Sequence, residues 1–328
     1  GISEADKMSV KPLENTESGT LKGRDLLSLY DLTTQEIEEI LKRTEILKTM
    51  HKLGADYKPL KGKTLGMIFH KSSTRTRVSF EVAMYQLGGY SLILNSSELQ
   101  MGRGETIPDT ARVLSRYIDG IMIRTYSHDD IELLAEYATI PIINGLTDFS
   151  HPCQVLADLF TIYEKRKKLK GNKLTFVGDG KNNMANSLLF GCAKVGIDIT
   201  IAAPKEFWPD SEVIQKAKVA ANTSGSQIKL TDDVTEGAKG ANILYTDVWT
   251  SMGQEEETNY RKKVFANYQI NKNLLSVADE DAIVLHCLPA HRGEEITEEV
   301  LEGPQSVVFD EAENRLHVQK AILSLIMG

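Results

Sequence analysis

The chain has 328 residues, which at roughly 150 residues per domain points to about two domains. Hydrophobic residues make up 41% and charged residues 26%, an ordinary globular balance that excludes a wholly disordered chain. Lysine and arginine number 38 against 46 acidic residues, a net charge of −8 that excludes a nucleic-acid binder and requires any bound anion to meet a local basic pocket.

Residues 1–21 are polar, without apolar periodicity or a signal-peptide core, and read as a disordered or tag-derived tail. Thr33 or Thr34 then caps a helix whose apolar face is Ile37, Ile40, Leu41 and Leu47. Leu65, Met67, Ile68 and Phe69 form a short buried strand, followed by a polar loop and a helix over about 74–87 closed by Gly88 and Gly89. Strands at YSLILN, GIMIRT and IPIIN alternate with helices near 108–117 and 129–137. A helical pattern over 151–168 runs into the basic stretch EKRKKLKG, read as a solvated helix end. KLTFVGDG, DITIAAP, ANILYTD, AIVLHCLP and SVVFDEA continue as strands, and 311–327 closes the chain as a helix. Short strands alternating with helices predict an α/β protein of two lobes, each a parallel sheet flanked by helices, dividing near 160–170. The three cysteines, Cys153, Cys192 and Cys287, are widely spaced and lack a zinc-type pairing, which suits a reducing, cytoplasmic compartment. No apolar run approaches the ~20 residues of a membrane span.

In open parallel sheets, ligands bind beyond the carboxyl ends of the strands, so the residues that follow each strand are the candidates. After the first strand, Ser72, Ser73, Thr74 and Thr76 offer caps at a helix start, and Arg75 and Arg77 offer an oxyanion clamp, more than a plain cap needs. Arg124 ends another strand, where it faces either a ligand or Asp129 and Asp130. His151 and Gln154 open a helix, placed to donate to a carbonyl or amide or simply to pack. Gly178 and Gly180 suggest a dinucleotide loop and with it an oxidoreductase, but Asn183 replaces the third glycine; Asn182 and Asn183 fit a polar substrate or a helix cap better. Asp247 stands at a strand end before a glycine-bearing loop and can receive an ammonium group. Leu288-Pro289 is a candidate cis bond. Cys287 is either a nucleophile paired with His286 or His291, or a buried thiol. An anion pocket (Ser73 to Arg77, Arg124, His151) and an amine pocket (Asn183, Asp247, Ser251) would serve an acidic ligand and an amino one.

SSTRTR, HPCQ…LADL, DVWTSMG and HCLPAHRG, in this order and within a span from about Lys22 to the end, resemble the aspartate/ornithine carbamoyltransferase family on its ornithine-specific branch. The resemblance implies a carbamoyl phosphate domain over 22–160 joined by the C-terminal helix 312–328 packing back on it, and an ornithine domain over 161–311. It implies that Ser73, Thr74, Arg75, Thr76, Gln100 and Arg124 hold carbamoyl phosphate with His151, Gln154, Cys287, Leu288 and Arg315. Asn183, Asp247, Ser251 and Met252 would hold L-ornithine, and Arg124, His151, Asp247 and Cys287 would serve catalysis. The implied product is L-citrulline with release of phosphate, without metal or organic cofactor, from a homotrimer or a multiple of it. Two rivals are transfer to another amine such as putrescine and a non-catalytic carbamoyl phosphate-binding protein.

Overall fold

The computed structural model describes residues 21–96, 99, 101, 104–251 and 254–328. The expected tail therefore falls outside the described residues except at Leu21, which is buried. Gln100 and Met252 also fall outside them. The chain divides into two compact units, one running to Leu156 and resuming at Arg315–Gly328, the other Ala157–Asn314.

In the first unit, helix α1 (Thr34–Lys52) starts at a capping box. The Thr33 hydroxyl accepts the Glu36 amide at 3.1 Å, and the Glu36 carboxylate accepts the Thr33 amide at 2.9 Å. The sheet follows as β1 (Thr64–Phe69), α2 (Thr74–Gln86), β2 (Tyr90–Asn95), α3 (Ile107–Ser115), β3 (Gly120–Arg124), α4 (His128–Tyr137) and β4 (Ile142–Leu146). Its four strands are parallel, in the order β2-β1-β3-β4. Phe69 at the end of β1 lies opposite Arg124 at the end of β3. β1 and β3 are almost continuously apolar because helices cover both faces; edge strand β2 is half-exposed.

Helix α5 (Pro152–Arg166) begins in the first unit and ends in the second. The second sheet comprises β5 (Lys173–Val177), α6 (Asn183–Val195), β6 (Asp198–Ala202), α7 (Ser211–Ser224), β7 (Ile228–Thr231), α8 (Val234–Ala238), β8 (Ile243–Thr246), α9 (Thr258–Val264), α10 (Lys272–Val277), β9 (Ile283–His286) and α11 (Glu298–Leu301). It is parallel, in the order β7-β6-β5-β8-β9. Val177, Leu244, Ile270, Val284, Ile296 and Val300 share one core cluster.

The segment SVVFDEA is not a strand. Ser306 makes a single bridge to Val284, and helix α12 (Val308–Met327) already starts at Val308, three residues before the expected start. The second half of α12 packs on the first unit: Ile322, Leu323 and Leu325 are buried, Gly23 N–H donates to Ile326 O at 2.8 Å, and Arg43 donates to Ser324 Oγ at 3.2 Å. The fifth strand of the second sheet is β7, an edge strand with one exposed and three half-buried residues that the sequence reading passed over. Among the described residues, no helix is long and apolar enough to cross a membrane.

Candidate active site

Each sheet has one point where its strand order reverses, between β1 and β3 in the first and between β5 and β8 in the second. Crevices at the carboxyl ends of such strands are where open α/β sheets bind ligands.

At the first, Ser73 caps α2 by accepting the Thr76 amide at 3.3 Å, while its hydroxyl bonds the Thr76 hydroxyl at 3.1 Å. Thr76 is buried, and its Oγ1 also accepts Arg315 at 3.1 Å and Arg124 at a longer 3.5 Å. Two guanidinium groups from α12 and β3 thus converge on the first turn of a 13-residue helix, whose free N–H groups already favour an anion. Arg75 is exposed, and Arg77 pairs with Glu81 at 3.4 Å rather than joining Arg124 and Arg315 on Thr76. His151 is buried, and burial, then the charges of Arg315 and Arg124, hold its imidazole well below the usual range, so it is neutral at pH 7. Gln154 is buried one turn further on. Cys153 is structural: its thiol points to Asn144 O at 3.6 Å, and burial raises its pKa to about 12.

At the second point, Asp247 follows β8. Its carboxylate is buried yet well supplied with donors: Val248 N–H at 2.8 Å, Cys287 Sγ at 3.2 Å and Asn182 Nδ2 at 3.2 Å. Burial outweighs these donors and raises its pKa. Burial and then the Asp247 charge push the Cys287 thiol well up, so it is a protonated donor. The pairing of Cys287 with His286 as a nucleophile also fails on geometry. Both ring nitrogens of His286 are engaged elsewhere, with Glu295 at 2.7 Å and with Leu288 N–H at 2.8 Å. Asp247, His286 and Cys287 bring one potential metal-ligand atom each within 4.8 Å, but the imidazole has no lone pair left to offer an ion. The Leu288-Pro289 bond is cis, as anticipated.

The glycines of GDG serve packing rather than a dinucleotide. Gly178 has φ +138, and a Cβ at Gly180 would meet Phe207 O at 2.5 Å. Asn182 then caps α6 by accepting the Ala185 amide at 2.8 Å, so it, as well as being the cap, is the asparagine bonded to Asp247. The loop leading to Ser251 is anchored by Arg261, which donates to Asp179 at 2.7 Å and Trp249 O at 3.0 Å. Sequence reading also missed a buried acid group beside Cys287. Tyr245 donates to Asp158 at 2.7 Å, and burial, then the Asp158 charge, raise the Glu311 pKa well above normal. The signal was available: Asp158 is a charged residue within the apolar run of Val155, Leu156, Ala157, Leu159 and Phe160.

Residues 24–164 match the model of the aspartate/ornithine carbamoyltransferase carbamoyl-P binding domain, and residues 170–326 that of the Asp/Orn binding domain. The chain belongs to the aspartate/ornithine carbamoyltransferase family. Among carbamoyltransferases of that family, it is 55% identical to the ornithine carbamoyltransferase of Thermococcus kodakarensis over 309 residues, 94% of this chain and 98% of that protein. It is 56% identical to that of Oceanobacillus iheyensis over 314 residues, 96% and 97% of the two chains. The solved ornithine carbamoyltransferase of Pyrococcus furiosus matches with a TM-score of 0.91 at 55% identity, covering 94% of this chain and 98% of that one.

Proposed function

We propose that this carbamoyltransferase moves the carbamoyl group of carbamoyl phosphate to the side-chain amine of L-ornithine, giving L-citrulline and phosphate. The observation that carries this reading is the convergence of Arg124 and Arg315 on Thr76 at the N-terminus of α2, a site built for a compact oxyanion. In this reading Ser73, Thr74, Arg75, Thr76, Gln100 and Arg315 grip the phosphate. Arg124, His151 and Gln154 meet the carbamoyl oxygen and amide, and Cys287 and Leu288 are assigned to the same ligand. Asn183, Asp247, Ser251 and Met252 receive ornithine. The first unit is then the carbamoyl phosphate domain and the second the ornithine domain.

An alkyl ammonium titrates near ~10, so one proton must leave ornithine before its nitrogen attacks the carbamoyl carbon. The C–N bond forms, the C–O bond to phosphate breaks, and the second proton passes to the departing phosphate. Negative charge grows on the carbamoyl oxygen, where a neutral His151 and the Arg124 guanidinium act as fixed donors. Asp247 holds the amine end, and the Cys287 thiol keeps its proton throughout.

The test is citrulline formation from carbamoyl phosphate with ornithine, putrescine and aspartate as parallel acceptors. Rapid product with ornithine alone is expected. Product from another amine would overturn the roles given to Asp247 and Ser251, and no product from any acceptor by folded protein would favour a binding protein. The protein is proposed to act in the cytoplasm, in keeping with its three free cysteines. It is also proposed to act as a homotrimer or a multiple of it, so light scattering should give at least about three times the 36.5 kDa of the chain.

A further inference from the structure

The turn that leads into His151 is held by the imidazole of His128, the first residue of α4. This turn runs from Thr147 to Ser150 between β4 and α5, and both of its end residues are buried. Thr147 N–H donates to Ser150 O at 2.9 Å, and Asn144 Nδ2 donates to the same oxygen at 3.3 Å. In the other direction, Ser150 N–H donates to Thr147 Oγ1 at 3.1 Å. That hydroxyl oxygen lies 2.8 Å from His128 Nδ1, and the centre of the same imidazole is 5.0 Å from that of the Phe149 ring within the turn. A threonine hydroxyl has one hydrogen to give. Ser150 O already has two donors and is 3.4 Å away, so the hydrogen goes to the nearer Nδ1. Nδ1 is then an acceptor and the ring proton is on Nε2, which faces Glu132 Oε1 at 3.9 Å; the opposite tautomer would turn a lone pair toward that carboxylate.

We propose that His128 and Thr147 are positioning residues for the transfer, acting on His151 through Ser150, the residue before it. His128 takes the Thr147 hydroxyl hydrogen, the hydroxyl oxygen is left to accept Ser150 N–H, and the closed turn sets where α5 starts and where the His151 imidazole stands. Neither positioning residue touches substrate in this scheme. The proposal rests on the reading of His151 as a donor to the carbamoyl oxygen. Protonation of His128 would undo the arrangement. An Nδ1–H would compete with Ser150 N–H for the one hydroxyl oxygen and turn the hydroxyl hydrogen toward Ser150 O at the longer distance. Burial holds the His128 pKa below its ordinary 6.5, against the pull of Glu132 and Asp129 on α4, Asp148 in the turn and Asp31 ahead of α1, so the tether is intact at pH 7.

His128→Asn keeps an oxygen near the place of Nδ1, whereas His128→Leu keeps no acceptor. Turnover with saturating substrates should fall at least fivefold for His128→Leu, with the KM for carbamoyl phosphate within threefold of wild type, and should stay within threefold for His128→Asn. In a His151→Ala background, His128→Leu should cost less than twofold more, because both changes act on one side chain. Overturning results are a loss below fivefold in His128→Leu, His128→Asn as impaired as His128→Leu, a KM shift as large as the loss of turnover, or losses that multiply in the double variant. If the leucine variant does not fold, the pH dependence of His128→Asn decides, since its amide does not titrate. The ratio of wild-type to His128→Asn turnover cancels the ionisation of ornithine; it should be level from pH 7 to pH 8 and decline toward pH 5. A ratio level throughout overturns the proposal. Wild type and His151→Ala are measured first. No citrulline from wild type, or a normal rate in His151→Ala, would count against the assigned site, whereas an impaired His151→Ala beside a normal His128→Leu would sink the tether alone.

Discussion

Thr76 offers one hydroxyl oxygen to two guanidinium groups, and the buried His151 titrates under the influence of the same pair. Burial first, and then those cations, keep the imidazole neutral, which suits it to act as an uncharged donor. Losing one donor to a developing oxyanion costs about 2.7–4 kcal/mol in comparable sites. Arg124→Gly and His151→Ala are therefore expected to lower turnover at least tenfold in steady-state assays, and near-normal rates in both would refute their assignment. Arg75, exposed at the helix start, should act mainly on affinity: Arg75→Ala raises the apparent KM for carbamoyl phosphate, and an unchanged KM would count against the anion site. Asp247 gives a different signature. Burial raises its pKa above the unfolded value of 3.8, so the native state holds the proton more tightly than the unfolded chain. Its contribution is most favourable below pH 3.8 and is lost as pH rises through the folded pKa. Asp247→Asn removes that loss along with activity. The stability of wild type minus that of Asp247→Asn, from urea unfolding, should consequently fall between pH 4 and pH 8; a constant or rising difference would show that burial does not set this titration.

Among the elements, the loop from Gly178 to Asn182 and the helix it opens show what a sequence does and does not disclose. The Cβ that Gly180→Ala adds would meet the backbone oxygen of Phe207 at 2.5 Å, and backbone cannot swing aside as a long side chain can. Overpacking of this kind costs about 1–3 kcal/mol, and the loop should shift near Asp247 as well. Gly180→Ala should therefore lower the urea midpoint and raise the KM for ornithine together; a stable variant with normal kinetics would contradict the close approach. Both glycines were visible in the sequence, but their reason was not, because Phe207 is 27 residues away. The strand alternation was legible where strands are buried on both faces, as in β1 and β3. It failed at β7, where an edge position leaves Ile228, Lys229, Leu230 and Thr231 too mixed to stand out. It misled at SVVFDEA, where Val307 and Val308 look like a strand although Phe309 is exposed on the first turn of a helix. Ser73, Thr74, Arg75 and Thr76 stood out as a local run, whereas Arg315, 239 positions beyond Thr76, came only with the family resemblance.

For the whole molecule, the decisive feature is that the first unit is discontinuous. It breaks off at Leu156 and resumes at Arg315, so the last fourteen residues complete a domain interrupted by the whole of the second unit. Those residues supply Arg315, which donates to Thr76, and bury Ile322, Leu323, Leu325 and Ile326. Burial of such side chains is worth about 1.5–3 kcal/mol each, so the four contribute roughly 6–12 kcal/mol. That rivals the roughly 5–15 kcal/mol that holds a whole domain folded. The second unit keeps its own core of Val177, Leu244, Val284 and Ile296 without them. A chain truncated after Asn314 should accordingly lose amide protection in β1–β4 while β5, β6 and β8 stay protected, as read by hydrogen exchange with mass spectrometry. It should also bind no carbamoyl phosphate in calorimetry. Protection retained throughout β1–β4 would mean that α12 is a late addition to a self-sufficient first unit. Loss of protection in both sheets would mean that the two units fold as one, and that the continuous stretch from Ala157 to Asn314 is not independent.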